Sequence, residues 1–182
     1  MNTEKLDLAM PDPWADGRHH INTHAVGRTD LGQYLSPPFQ NRGGKTLEHP
    51  ILGSFRTVES VWHYLNSGGG EKFRFMNLRA ARKLVKVVKN YRCSHFKEIL
   101  IDALVLHLRN NSKYERLIAE CDLPFEHYFL SGPDKVPTRP NHAGLYIDAV
   151  NEVREIFRGN KQHSFVRYSD MKFEPWSYNP DK

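Results

Sequence analysis

The chain has 182 residues, 39% of them hydrophobic and 12% aromatic, with 26 Lys and Arg against 21 Asp and Glu. These proportions are typical of one globular domain, and they exclude collagen-like, coiled-coil and wholly disordered chains. The most apolar stretch, residues 99–108, is interrupted by Asp102 and His107, and residues 1–20 lack the apolar core of a secretory signal, so neither a membrane partner nor secretion is expected.

The first half of the chain is predicted to contain loops, brief strands and one helix. Residues 1–20 have the composition of a flexible leader, and residues 21–53, rich in Gly, Pro, Asn and His, indicate loops with short strands. Thr57 is a favourable N-cap for a helix that runs through Leu65. The three glycines at 68–70 then end that helix.

Four further helices are predicted in the second half of the chain. They cover about residues 77–90, 95–109, 113–120 and 144–158. Ser112 and Glu115 have the spacing of a capping box at the start of the third of these helices. The pattern predicts a single α+β domain, mainly α-helical, over residues 21–160, with an aromatic-rich C-terminal tail at 161–182 that packs on it.

The cysteines and histidines do not have the spacing of a metal site. Cys93 and Cys121 stand far apart without a partner pattern, which favours a reducing compartment over a disulfide framework and predicts a cytoplasmic protein. The ten histidines are scattered, and none forms the close ligand pairs that a structural zinc site needs. We therefore expect no metal and no cofactor.

Residues 72–92 form a strongly basic segment. The segment holds eight Lys or Arg and no Asp or Glu, so it would attract the phosphate of a nucleic acid, a nucleotide or a sugar phosphate. The alternative is a solvated helix face, because Leu78, Ala81, Val85 and Val88 recur at helical spacing beneath the charges. The residues themselves leave the two interpretations equally open.

The helix that follows Thr57 carries the most informative group of side chains. Glu59 falls in the first turn, where free backbone donors and the helix dipole favour an ionised carboxylate. Trp62 and His63 lie near the same helix face as Glu59. A carboxylate beside aromatic rings could cradle a sugar ring in an oxocarbenium-like state. Glu in a first helical turn is also common for stability alone, so spacing by itself does not decide between the two.

Three segments, in order, resemble the NADAR family, the YbiA-like N-glycosidases. They are Asp30-Leu-Gly-Gln-Tyr-Leu-Ser-Pro-Pro-Phe39, Gly53-Ser-Phe-Arg-Thr-Val-Glu59 with its aromatic helix, and Ala80-Ala81-Arg82. The resemblance extends over about residues 21–158. It implies a NADAR-like domain that hydrolyses the N-glycosidic bond at C1 of a ribose, in an ADP-ribosylated base or in a phosphoribosyl-type nucleotide.

The resemblance also assigns residues. Glu59 would be the catalytic carboxylate, which stabilises positive charge at C1 or activates water. Ser36 and Phe39 would line the pocket, and Arg82 would meet phosphate. Physical arguments add neighbours of these positions. The full set of expected substrate-binding residues is Ser36, Phe39, Trp62, His63, Arg79, Arg82, Lys83, Glu126, His127 and Tyr128.

The chain departs from the family pattern at three places, one of which is that the Gly after the Ala-Ala-Lys/Arg motif has no counterpart near Leu84. Asn66 stands where the family commonly has Lys, and the later Asp-x-x-Trp-Gly motif is absent. In its place the segment 123–129, Leu-Pro-Phe-Glu-His-Tyr-Phe, resembles a divergent branch that is often found in phages; in that case the protein would act in the host cytoplasm. Glu126, His127 and Tyr128 could supply a second acid/base or a ring stack, or they could form an ordinary strand edge.

Two functions from different classes remain open from the sequence. The first is a metal-free hydrolase with Glu59 as its catalytic residue. The second is a non-catalytic module that binds nucleic acid or nucleotide phosphate through residues 72–92. A third interpretation combines them, with ADP-ribosylated DNA or RNA as the substrate.

Overall fold

The computed structural model describes residues 10–39, 44–76, 78–85 and 91–175. Within these ranges six α-helices supply most of the regular structure, and short strands supply the rest, which agrees with the prediction of a mixed, mainly helical α+β fold. The helices are α1 (Asp30–Tyr34), α2 (Val58–Asn66), α3 (Leu78–Val85), α4 (Phe96–Arg109), α5 (Ser112–Glu120) and α6 (Ala143–Phe157).

The strands form four separate two-stranded pairs among the described residues. They are β1 (Ile21–Asn22), β2 (Leu47–His49), β3 (Gly53–Phe55), β4 (Tyr91–Cys93), β5 (Phe125–Glu126), β6 (Phe129–Ser131), β7 (Val136–Thr138) and β8 (Phe173–Pro175). The pairs β2–β3, β4–β8 and β6–β7 are antiparallel. Only β1 and β5 run parallel, with Ile21 opposite Phe125. That pair joins the beginning of the domain to its second half.

Helix α4 lies at the centre of the core and packs against α2, α5, α6 and β2. Most of its apolar side chains are buried, and two polar side chains, Asp102 and His107, are buried with them. Asp102 accepts hydrogen bonds from His49 Nε2 at 3.1 Å, His163 Nε2 at 2.7 Å and the Val166 backbone N–H at 3.1 Å. Because a buried carboxylate must be paired, Asp102 holds β2 and the chain after α6 against the core.

The predicted ends of α2, α4, α5 and α6 lie within one residue of the observed ends, and those of α3 fall on residues outside the described ranges. Helix α3 covers residues 78–85 of the predicted 77–90, and the remaining positions lie outside the described residues. The predicted capping box is wrong, because Asn111 rather than Ser112 is the N-cap of α5. Asn111 has an extended backbone, and its Oδ1 accepts the Lys113 N–H at 3.1 Å. Asn caps as well as Ser, so the helix begins one residue earlier.

Both ends of the described chain are held on the domain. Residues 10–20 belong to the predicted leader, and there the buried Asp16 accepts the backbone N–H of Asn22 at 2.9 Å and that of Arg28 at 2.6 Å. At the other end, β8 pairs with β4, and Phe165 contacts the ring of His49. None of the helices in the described ranges has both the length and the apolarity needed to cross a bilayer.

His107 on α4 predicts a loss of stability in acid. Its ring is buried and hydrogen-bonds to the Tyr34 carbonyl at 2.8 Å, and burial lowers its pKa from 6.5 to about 4. Below about pH 6.5 His107 is protonated in the unfolded chain but stays neutral in the folded chain. The free energy of unfolding therefore decreases as the pH falls below about 6.5. Between pH 7 and pH 5 this residue should remove about 2 kcal/mol. The measurement is urea unfolding of the wild type and of His107→Gln at both pH values.

Gln keeps an N–H donor for the Tyr34 carbonyl but does not titrate in this range. The variant should therefore lose about 2 kcal/mol less than the wild type over the same pH step. An equal loss in both proteins would mean that His107 does not stay neutral in the fold.

Candidate active site

A cavity of about 500 Å³ lies between α2, the loop after α1 and the start of α6. Much of its wall is apolar and comes from segments that are distant in sequence. The apolar lining residues are Pro37, Pro38, Val58, Leu100, Phe129 and Pro140. Its volume is within the range of small-molecule sites. The remaining lining residues are titratable or aromatic, and they determine what the cavity can do.

Glu59 is placed in the cavity by the first turn of α2. Thr57 precedes the helix in an extended conformation, and its Oγ1 accepts the Ser60 N–H at 3.1 Å. The backbone N–H of Glu59 donates to the Pro37 carbonyl at 2.9 Å, which fixes the helix start against the cavity-lining loop. Both contacts satisfy donors that a helix start leaves open. The carboxylate therefore projects from a tightly held turn.

His63 lies one helical turn after Glu59 and pairs with it. Its Nε2 is 3.3 Å from Oε1 of Glu59, and the two side chains are only 11% and 12% exposed. An imidazole with Nε2–H donates to the carboxylate and limits its rotation. The other ring nitrogen, Nδ1, is buried and has no hydrogen-bond partner among the described residues. His63 is thus placed to position Glu59.

Tyr146 and His142, at the start of α6, lie within electrostatic reach of Glu59. Burial, and secondarily the Glu59 charge, raise the pKa of Tyr146, whose hydroxyl donates to the Leu35 carbonyl. Burial lowers the pKa of His142, and the Glu59 charge only partly opposes this. At neutral pH the cavity therefore presents an uncharged phenol and a largely uncharged imidazole beside the carboxylate.

Aromatic rings surround this group. The ring centroids of Trp62 and His142 lie 4.7 Å apart, and those of Trp62 and Phe96 are also 4.7 Å apart. The ring of His24 contacts the rings of His127 at 5.5 Å and Phe129 at 6.1 Å. Flat π faces of this kind stack on planar groups such as nucleobases.

The cavity brings together four of the residues that the sequence selects, namely Glu59, Trp62, His63 and His127. Two others lie just outside it. Ser36 is buried next to the lining residue Pro37, and its Oγ has no hydrogen-bond partner among the described residues. Phe39 packs on the ring of Tyr34 at 5.1 Å rather than lining the cavity.

The other selected residues lie elsewhere. Glu126 forms an ion pair with Arg139, with N and O atoms 3.0 Å apart, and the Tyr128 hydroxyl is 2.9 Å from His20 Nε2. Neither residue lines the cavity. The exposed side chains of Arg79 and Lys83 project from α3, away from the lining. Arg82 belongs to α3, but its side chain lies outside the described residues.

Sequence reasoning missed three residues of the site: His24, His142 and Tyr146. His24 and His142 belong to the ten scattered histidines, and Tyr146 falls within the helix predicted at about residues 144–158. His142 directly precedes α6 and makes no side-chain cap bond there, so no local pattern marks it. The three meet through tertiary packing. No group of three or more His, Cys, Asp or Glu in the described part of the chain is arranged to hold a metal ion.

Comparison with family models, with curated proteins and with solved structures finds no match.

The N-cap of α2 can be tested directly. Thr57→Ala removes the acceptor for the Ser60 N–H and should lower the free energy of unfolding by about 1 kcal/mol. Thr57→Ser keeps the hydroxyl and should retain most of that stability. Urea unfolding of the two variants beside the wild type makes the comparison. Equal stability of the alanine and serine variants would mean that the cap does not hold the turn that carries Glu59.

Proposed function

We propose that this protein is an N-glycoside hydrolase that cleaves the ribosyl C1–N bond of an ADP-ribosylated base or of a phosphoribosyl-type nucleotide. The observation that carries the proposal is the Glu59 carboxylate, held by His63 inside a cavity with apolar and aromatic walls. The resemblance of residues 21–158 to the NADAR family supports the same assignment, because its essential Glu corresponds to Glu59.

The reaction needs little more than this arrangement. As the C1–N bond breaks, its electron pair stays on the base nitrogen, and positive charge spreads over C1 and the ring oxygen. An anionic carboxylate in a water-poor cavity stabilises that charge more strongly than it could in bulk water. A water molecule then bonds to C1 through its oxygen, and Glu59 takes the water proton and returns it to the departed base.

The cavity lining suggests which part of the substrate enters. Among the described residues, neither Lys nor Arg lines the cavity. Pro37, Pro38, Trp62 and Phe129 instead offer flat or apolar surfaces. The ribose and the base are therefore expected inside, with the phosphate at the mouth in contact with water.

Replacement of Glu59 tests the catalytic assignment. Glu59→Gln keeps size and hydrogen bonding but removes the charge, so hydrolysis should fall by at least about 100-fold while the fold remains intact. The matched control is Glu120→Gln, a change of an exposed carboxylate on α5, which should keep wild-type activity. Mass spectrometry of reactions with ADP-ribosylated DNA, a phosphoribosylamino-pyrimidine and NAD would detect released ADP-ribose or ribose phosphate.

Release of product by the wild type and Glu120→Gln, but not by Glu59→Gln, is the expected result. Comparable rates in the wild type and Glu59→Gln would exclude Glu59 as the catalytic carboxylate. Inactivity of a folded wild type on all three substrates would favour the second candidate.

The second candidate is a nucleic-acid or nucleotide-phosphate binding module, which the exposed cations Arg79 and Lys83 favour. Phosphate contacts release counterions, so the logarithm of the affinity falls linearly with the logarithm of the salt concentration. The slope is proportional to the number of phosphate contacts. Alanine at both positions should reduce the slope of log affinity against log salt by about 1.4 on a single strand. Fluorescence anisotropy with a labelled single-stranded oligonucleotide measures the slope. In this candidate Glu59→Gln binds as the wild type does, and an unchanged slope in the double variant would contradict it.

A further inference from the structure

His127 is one of the residues that line the cavity. It directly follows β5, whose pairing with β1 brings it beside Thr23 and His24. The residue is only 2% exposed, and its ring contacts those of Tyr146 at 4.9 Å and His142 at 5.8 Å. Its position as a lining residue means that what remains accessible of it faces the cavity.

The hydrogen bonds of Thr23 define which nitrogen of His127 carries the proton. The Thr23 hydroxyl lies 3.0 Å from the Glu126 carbonyl and 3.0 Å from Nδ1 of His127. A hydroxyl has one proton, and a carbonyl can only accept, so the hydroxyl donates to Glu126 and accepts from His127. The network thus assigns the proton to Nδ1.

This tautomer leaves Nε2 of His127 as a hydrogen-bond acceptor. The contact of the His127 ring with Thr23 runs through Nδ1, so it does not occupy Nε2. Burial, together with the neighbouring His24 and His142, lowers the pKa of His127 to about 3, so the ring stays neutral at physiological pH. A neutral ring does not serve as a general acid at that pH, which argues against the acid role that the sequence left open for this residue.

We infer that His127 is a specificity-determining residue of the site, whose Nε2 accepts a hydrogen bond from an N–H or O–H group on the nucleoside portion of the ligand. The inference deepens the proposed function and rests on it for the nature of the ligand. A buried acceptor that loses its water must regain a donor from the ligand, so ligands without that donor are rejected. The donor is either an amino group of the base or a hydroxyl of the ribose.

Binding of four nucleotides separates these two sources. Adenosine 5′-phosphate carries both kinds of donor, purine riboside 5′-phosphate lacks the base amino group, and the 2′- and 3′-deoxyadenosine 5′-phosphates each lack one ribose hydroxyl. Isothermal calorimetry with the wild type should give about 10- to 100-fold weaker binding for one of the three analogues than for adenosine 5′-phosphate. The analogue that loses affinity identifies the donor.

Two variants of His127 assign the discrimination to Nε2. His127→Phe keeps a flat ring without an acceptor, and the affinity ratio between adenosine 5′-phosphate and the weak analogue should fall to about 1. His127→Gln places an amide oxygen near the position of Nε2, and most of the ratio should be retained. Circular dichroism verifies that both variants fold. If the His127 ring had only a structural role, His127→Phe would change the affinities for all four nucleotides by the same factor. The affinity ratio between adenosine 5′-phosphate and the weak analogue would then be unchanged.

The outcomes separate this inference from the proposed function. Discrimination that disappears in His127→Phe and persists in His127→Gln supports the inference even if Glu59→Gln hydrolyses as fast as the wild type, a result that would overturn the proposed function alone. An unchanged ratio in His127→Phe overturns the inference while leaving the hydrolysis assignment intact. Equal binding of all four nucleotides by the wild type, or no binding of any, also overturns it.

Discussion

The burial of α4 is the constraint on which the rest of the molecule depends. A helix this deeply buried cannot leave polar side chains without partners, and it carries two, Asp102 and His107. Each is satisfied by segments far away in sequence: Asp102 binds His49 and His163, and His107 binds the carbonyl of Tyr34. Those bonds hold α4 in place, and α2 and α6 both pack against it. The two helices bring the carboxylate and its phenol and imidazole neighbours to one cavity.

The chemistry of that cavity follows from unequal burial of similar groups. Glu59 is partly buried but keeps a donor in His63, whereas His127 and His142 are desolvated enough that their pKa values fall below the ordinary value. The Glu59 carboxyl therefore shares the cavity with two imidazole rings, His127 and His142, whose neutral form is favoured by burial.

Local signals in the sequence were sufficient for the side of the site that α2 contributes. Thr57 as a cap and glycines with positive φ after the helix define its ends, and helical spacing then places Glu59, Trp62 and His63 on one face. The part of the cavity formed by His24 and His127 had no such signal. β1 and β5 contribute two residues each, too few for a strand period to be recognised, so nothing local brings His24 towards His127. The capping error at α5 has a related cause, since Asn111 and Ser112 are nearly equivalent caps and only packing selects between them.

The parallel pairing of β1 with β5 also has a consequence for how the protein acquires its site. Thr23 and His127 are 104 residues apart, and a contact over such a distance is formed only after the entropy of closing a long loop has been overcome. The contacts of α4 with α2 and β2 span shorter stretches of chain, although Asp102 of α4 is fully paired only once His163 and Val166 are present. The contact between His24 and His127 is therefore expected to form late in folding. A nascent or truncated chain that ends before β5 contains Glu59 but lacks the cavity-lining residues that follow β5.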